Sequence, residues 1–334
     1  MIAIFLLAAI LACGLLFQSA GDAFDAHRYP APGRLIELPS GANLHVYSQG
    51  RTGAPAVIFE AGISGSCLSW STVQPLVAGF AHAVSYDRAG LGWSTGALTP
   101  RTVANMIAEL EAALTAAQVT PPYILVGHSF GCLLMQAFAH THPAKSAAVI
   151  LVDPVTQSGW ANADAQALRR LRMGARLSRR GGWLARFGVV RAALALLVSG
   201  GTTIPKLVAR ASAGQGNSVI ERLISEVRKL PAEAQPIVAA HWSRARSFSA
   251  MAAYLENLPP SARTAMKLPV PREIPLVILS AANATAEEMA ERASWAAAHP
   301  NALHTQIAGT GHWLQLERPQ FVTDTIRETL LRVR

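Results

Sequence analysis

The sequence predicts an α/β fold, a mostly parallel sheet flanked by helices with a helical cap inserted past the middle of the chain. Three observations carry that expectation. Short apolar runs alternate with helix-like stretches over residues 34–153 and again over 275–334. The stretch 154–274 holds no strand-like run and several Ala/Leu/Arg-rich helical ones. One serine, Ser129, sits in a glycine-flanked turn where an apolar run gives way to a helical pattern.

The chain opens on residues 2–17, almost wholly apolar and broken only by Cys13 and Gly14. With residues 18–21 the run is long enough to span a bilayer as a helix. An uncleaved anchor is the first reading, a secretory signal the second and a buried core helix the third. Asp22 and Asp25 precede Arg28 and Arg34, so charge orients the segment weakly. Residues 1–21 are thus an anchor or signal segment, and 22–33, with Tyr29-Pro30-Ala31-Pro32-Gly33, a linker.

Residues 34–38 and 43–47 flank Pro39-Ser40-Gly41-Ala42 and read as an antiparallel hairpin. The run 56–59 is a buried parallel-type strand, and 81–86 a weaker one. Over 102–117 the residues Val103, Met106, Ile107, Leu110 and Leu114 share one helical face, with Asn105, Glu109 and Glu111 off it. Strands follow at 123–126, 147–152 and 276–279, then a helix over 287–298, a strand over 303–307 and a last helix over 321–331.

Composition narrows the function classes. The chain has 334 residues, is 51% hydrophobic and only 15% charged, which suits a large buried core rather than a disordered one. Its +9 charge is uneven: residues 160–272 carry 18 Lys and Arg against 5 Asp and Glu. No DNA-reading motif or interleaved aromatic pattern accompanies that charge, so nucleic acid is not the expected partner. A membrane-facing or a solvated cap surface fits it. Three cysteines make no disulfide framework, and Cys67 and Cys132 read as small core residues.

The chemistry centres on Gly127-His128-Ser129-Phe130-Gly131. A sharp strand-to-helix turn presents a serine in strained geometry, and side chains at the glycine positions would crowd it. A serine hydroxyl needs a histidine base, and the histidine needs an acid to orient it. Of ten histidines, His312 stands in a glycine-rich loop just after the last strand, in the expected chain order. Backbone N–H groups of Phe130 and of Ile63, in Glu60-Ala61-Gly62-Ile63, are the expected oxyanion donors. The expected acid is Asp153, with Glu288 as the alternative. Asp153 ends the strand 147–152, and Glu288 lies beyond the strand 276–279, where the loop offers Asn283-Ala284 instead of an aspartate.

Together these residues resemble the α/β-hydrolase superfamily over roughly residues 34–333. The markers are Glu60-Ala61-Gly62 with Trp70, the stretch Ser85-Tyr86-Asp87-Arg88-Ala89-Gly90-Leu91-Gly92-Trp93-Ser94, the serine pentapeptide, and Gly309-Thr310-Gly311-His312. The resemblance implies the α/β-hydrolase fold, with residues 34–153 and 275–334 as core and 154–274 as cap. It implies Ser129 and His312 as nucleophile and base, and Asp87 and Arg88 as residues that tie down the active-site loop. Glu60-Ala61 replaces the His-Gly of many relatives, which leaves a hole built from backbone N–H groups intact. Serine at the nucleophile position argues against the aspartate chemistry of haloalkane dehalogenases and epoxide hydrolases.

The expected activity is ester hydrolysis through an acyl-enzyme, without metal or organic cofactor. The alternatives are an acyltransferase on the same fold and a non-catalytic binding protein with a degenerate triad. The expected partner is a small apolar ester, with a membrane surface touched through the leader and the basic cap. The chain is expected to be membrane-anchored or exported.

Overall fold

A computed structural model describes residues 1–52, 55–198 and 228–333. Residues 199–227 of the expected cap lie outside the described residues. The strands are β1 (Arg34–Glu37), β2 (Asn43–Gln49), β3 (Ala56–Glu60), β4 (His82–Tyr86), β5 (Tyr123–His128), β6 (Ser146–Val152), β7 (Leu276–Ala281) and β8 (Ala302–Ile307). The helices named here are α1 (Ile2–Arg28), α2 (Gln74–Ala78), α3 (Val103–Ala116), α4 (Gly131–Thr141), α5 (Gln157–Ala161), α6 (Ala165–Arg186), α7 (Val189–Val198), α8 (Ala234–Trp242), α9 (Ala245–Met266), α10 (Ala286–Ala298), α11 (Leu314–Glu317) and α12 (Pro319–Arg332).

The eight strands form one sheet in the order β1-β2-β4-β3-β5-β6-β7-β8. The hairpin β1–β2 is antiparallel and joins β4 antiparallel, while all pairs from β4 to β8 are parallel. Both faces are covered, so the central strands are buried along their whole length. Ile58, Leu125 and Val149 point into a core completed by Met106, Leu110, Leu133 and Phe138. Val57, Phe59, Ile124, Val126 and Ile150 face the other way, against Trp70, Val77, Val322 and Ile326. Strands and helices fall where the apolar periodicity places them.

Two local details depart from the sequence reading. Glu109, expected off the apolar face of α3, is buried. Arg101 is buried as well, and its Nη1 donates to Glu109 Oε2 at 2.8 Å, which makes burial of the pair tolerable. Helix α1 also runs on through Arg28 into the expected linker, where contacts from the cap helices hold Asp22 and Asp25.

Between β6 and β7 the described residues form helices α5 to α9. Helix α9 continues through Pro259 and Pro260. It packs along α6 and α5, and its Tyr254 donates to the Ala89 carbonyl at 3.2 Å. The helical segment is therefore joined to the sheet domain close to the loop that follows β4.

Candidate active site

Ser129 follows β5 directly, at φ +54°. A non-glycine residue in that left-handed region costs on the order of 1–3 kcal/mol and persists only where its surroundings fix it. They do so here. The Ser129 N–H donates to the Val152 carbonyl at 3.0 Å, and the Ser129 carbonyl accepts from Cys132 N at 3.1 Å. The flanking glycines are sterically required. A Cβ on Gly127 would stand 2.7 Å from the Gly131 carbonyl oxygen, and one on Gly131 would stand 2.7 Å from the Ala61 oxygen.

Asp153 lies at the end of the neighbouring strand β6, also left-handed at φ +45°. Its Oδ2 is 2.6 Å from His312 Nδ1. Its Oδ1 accepts from Ala281 N at 2.9 Å and from Arg292 Nη1 at 2.8 Å. Burial works against the carboxylate, but the His312 hydrogen bond and the Arg292 guanidinium outweigh it and hold the carboxyl below its ordinary range. Arg292 is almost fully buried and is anchored a second time on the Pro154 carbonyl, at 2.5 Å. Glu288, the other candidate acid, does not meet the histidine. Its carboxylate accepts the Thr285 N–H at 2.8 Å while Thr285 Oγ1 caps Glu288 N, a closed capping box at the start of α10.

His312 reaches the serine's neighbourhood through His128. His128 Nε2 is 2.8 Å from the His312 carbonyl oxygen, and the two rings lie 4.7 Å apart. Burial, and then the neighbouring His312, push His128 down to about 3. The ring is neutral, so Nε2–H is the donor and Nδ1 is left as a buried acceptor without a partner among the described residues. Ser129 Oγ and His312 Nε2 make no hydrogen bond with each other in this structure. Such catalytic bonds are often long before substrate binds.

The loop after β3 lies against the serine: a Cβ on Gly62 would be 3.6 Å from Ser129 Cβ. Arg88 fixes it. Its guanidinium pairs with Glu60 and donates to the Gly62 carbonyl, to Ala61 O at 2.8 Å and to Ile63 O at 3.1 Å. Three consecutive carbonyls are thereby occupied. The N–H groups of Ile63 and Phe130 have no acceptor among the described residues. Arg88 itself lies over both Phe130 and Tyr254, at 5.4 and 5.0 Å from their rings, which meet each other edge to face.

Asp87 braces the same region from below. It accepts from Cys67 N at 2.7 Å and Trp93 N at 2.9 Å, and its Oδ2 is 2.9 Å from His45 Nδ1. His45, Cys67 and Asp87 bring ligand-type atoms within 4.8 Å of one another. The donors already on the carboxylate, and a Cys67 thiol pushed well up by burial and by Asp87, make this a hydrogen-bonded brace rather than a ligand set.

Sequence reasoning missed three contributors: Arg292, His128 and His45. His45 was legible only as a strand residue and Arg292 only as one charge on an amphipathic helix. His128 stood inside the pentapeptide, yet nothing in the sequence pairs its ring with the backbone of a residue 184 positions away.

A mainly parallel sheet thus carries a strained serine at the end of β5 and a histidine–carboxylate pair at the end of its neighbour β6. The chain belongs to the alpha/beta hydrolase family, whose model matches residues 57–325. It is similar to the uncharacterized protein YqjL of Bacillus subtilis, 31% identical over 114 residues that cover 34% of this chain and 45% of that protein. The chain spans less than half the length of the first curated relatives it matches. In fold it is similar to a thermophilic esterase from Thermogutta terrifontis, with TM-score 0.60 and 20% identity over 90% of this chain and 97% of that one. It is also similar to a loop variant of the haloalkane dehalogenase DbeA from Bradyrhizobium elkanii, with TM-score 0.64 and 17% identity over 90% of this chain and 96% of that one.

Proposed function

We propose that the chain is a serine hydrolase acting on carboxylic esters through a Ser129–His312–Asp153 triad. The observation that carries the reading is the 2.6 Å contact of Asp153 with His312 Nδ1. It fixes the tautomer that leaves Nε2 free to accept a proton. Ser129 Oγ attacks the ester carbonyl as His312 Nε2 takes its proton, and the developing oxyanion is held by the Ile63 and Phe130 N–H groups. His312 then protonates the departing alcohol. A water, deprotonated by the same nitrogen, releases the acid and frees the serine.

Helix α1 is, in this reading, a membrane anchor, which suits an apolar ester as substrate. Among the described residues it is the one helix long and apolar enough to cross a bilayer. The test is labelling by a fluorophosphonate probe and turnover of short p-nitrophenyl esters. Both are expected from the wild type and neither from Ser129→Ala; a wild type that stays unlabelled overturns the reading. Product analysis with added alcohol separates hydrolysis from acyl transfer.

A further inference from the structure

The exposed and covered faces of α1 differ in kind. Residues 1–13 are exposed, and most of them are large and apolar. The covered stripe is small and polar: Gly14, Gln18, Gly21, Asp22 and Asp25 turn toward the helices between β6 and β7. Arg191 of α7 donates to Asp25 Oδ2 at 2.6 Å, to Asp22 Oδ1 at 2.7 Å and to Gln18 Oε1 at 3.3 Å. Gln18 donates in turn to the Ser243 carbonyl at 3.2 Å. Arg244 lies 3.3 Å from Asp22.

We propose that α1 stays with the folded protein as a membrane stalk clamped to the cap, and that the clamp seats the cap edge around Phe187 at the boundary between acyl chains and headgroups of an anionic phospholipid bilayer. The proposal rests on reading α1 as an anchor and is independent of the serine chemistry.

Charge argues for retention. Arg191 and Arg244 find their carboxylates only on α1 among the described residues. Arg246, beside them, is pushed down to about 10 by burial and then by Arg244, with Asp22 opposing. Removing α1 would leave the guanidinium groups of Arg191, Arg244 and Arg246 close together with the carboxylates of Asp22 and Asp25 gone. A discarded signal sequence has no reason to neutralise its own product.

Length argues for the seating. A hydrocarbon core of ~30 Å needs about 20 helical residues. Residues 2–13 give a helix of about 18 Å before Gly14 meets the cap. A Cβ on Gly14 would stand 2.6 Å from the Phe187 carbonyl oxygen. Phe17 packs on Gly188 in the same way. Phe187 therefore sits at the depth of Gly14, and the cap edge completes what α1 alone leaves short. One turn earlier Trp183 is 60% exposed, with the Arg186 guanidinium 4.8 Å from its ring. Tryptophan and arginine suit the interface. Helix α6 carries seven exposed arginines and no carboxylate, which selects anionic headgroups as the partner.

The full-length chain is expressed with its own N-terminus and reconstituted in phosphatidylcholine vesicles, with and without phosphatidylglycerol. Intact mass should show α1 retained; a mature form lacking it overturns the proposal. With brominated acyl chains, the fluorescence difference between wild type and Trp183→Phe should be quenched, more strongly when phosphatidylglycerol is present. An unquenched difference overturns the seating. Asp22→Asn with Asp25→Asn keeps the apolar run inserted and should lower the Trp183 quench by half or more, whereas Asp25→Glu should preserve it. An unchanged quench in the double variant overturns the clamp. Fluorophosphonate labelling of the same samples reports the hydrolase reading separately.

Discussion

Asp153→Asn is the sharpest test of the proposed triad, because the structure says which way the new amide must turn. Oδ1 receives two donors, Ala281 N–H and the Arg292 guanidinium, while Oδ2 faces only His312 Nδ1. The asparagine oxygen takes the Oδ1 place, since an NH2 group there would confront two N–H donors. Its NH2 group then points at His312 Nδ1 and turns that nitrogen into an acceptor. The ring proton moves to Nε2, the atom that must accept the proton of Ser129. Loss of the productive tautomer costs a serine triad about 10⁴ in kcat, or about 5 kcal/mol of transition-state stabilisation. KM should change little, because the hydrogen bonds from Ala281 N–H and Arg292 survive, while the melting temperature should fall somewhat, because the buried Arg292 keeps its acceptor and loses its counter-charge. Asp153→Ala behaves differently. It strands Arg292, 2% exposed, without its carboxylate, at a cost of about 3–5 kcal/mol in stability. The assay is p-nitrophenyl ester turnover beside thermal unfolding of both variants. Retention of a tenth or more of wild-type kcat by Asp153→Asn, or an equal loss from Glu288→Gln, would refute the assignment.

Other outcomes follow from the same contacts. Glu288→Gln should leave kcat alone and lower stability by about 1 kcal/mol or less, because it touches only the capping box of α10; a kcat loss beyond twofold would contradict this. Gly131→Ala drives a Cβ into the Glu60–Ala61 backbone. It should destabilise by about 1–3 kcal/mol and, by displacing the loop proposed to hold the oxyanion, lower kcat about a hundredfold; wild-type kinetics would show that the loop yields freely. His128 and His241 are each pushed down to about 3, chiefly by burial. The folded state refuses protons that the unfolded chain accepts below its ordinary histidine pKa. Stability is therefore full above pH ~6.5 and falls as pH drops toward 3, by about 4 kcal/mol for the pair at pH ~5. The carboxyl of Asp153, held low, adds loss in the same direction near its own folded pKa. Urea unfolding near neutrality and at pH ~5 measures it, and equal midpoints would contradict the neutral-histidine assignment.

What the sequence made legible was whatever it encodes locally. The elbow announces itself because both glycines are needed within five residues of each other. The hairpin and α3 are visible because burial repeats at a period of two or of 3.6. The partners of the site are another matter. Arg292 meets Asp153 from 139 positions away and His128 meets His312 from 184, and neither leaves a periodic trace. For that reason the sequence favours Asp153 by its place at a strand end and still leaves Glu288 as an alternative. Glu288 looked charged and well placed in the chain, and only the closed exchange with Thr285 shows where its oxygens are engaged. Pro259 and Pro260 inside α9 run against local propensity, and tertiary packing of their buried neighbours overrides it. The polar stripe of α1 was hidden by the apolar residues around it.

His312 finds its carboxylate at the end of β6, and that leaves the turn after β7 without a carboxylate to present to it. The Ala281 N–H is its direct tie to Asp153. Beyond it, Asn283 and Ala284 make only a tight turn before the capped start of α10. The junction of residues 283 and 284, between the Ala282–Thr310 tie and the Thr285 cap, is thus a natural insertion point, where a binding loop, an affinity tag or a reporter can be spliced beside the candidate site without disturbing either contact.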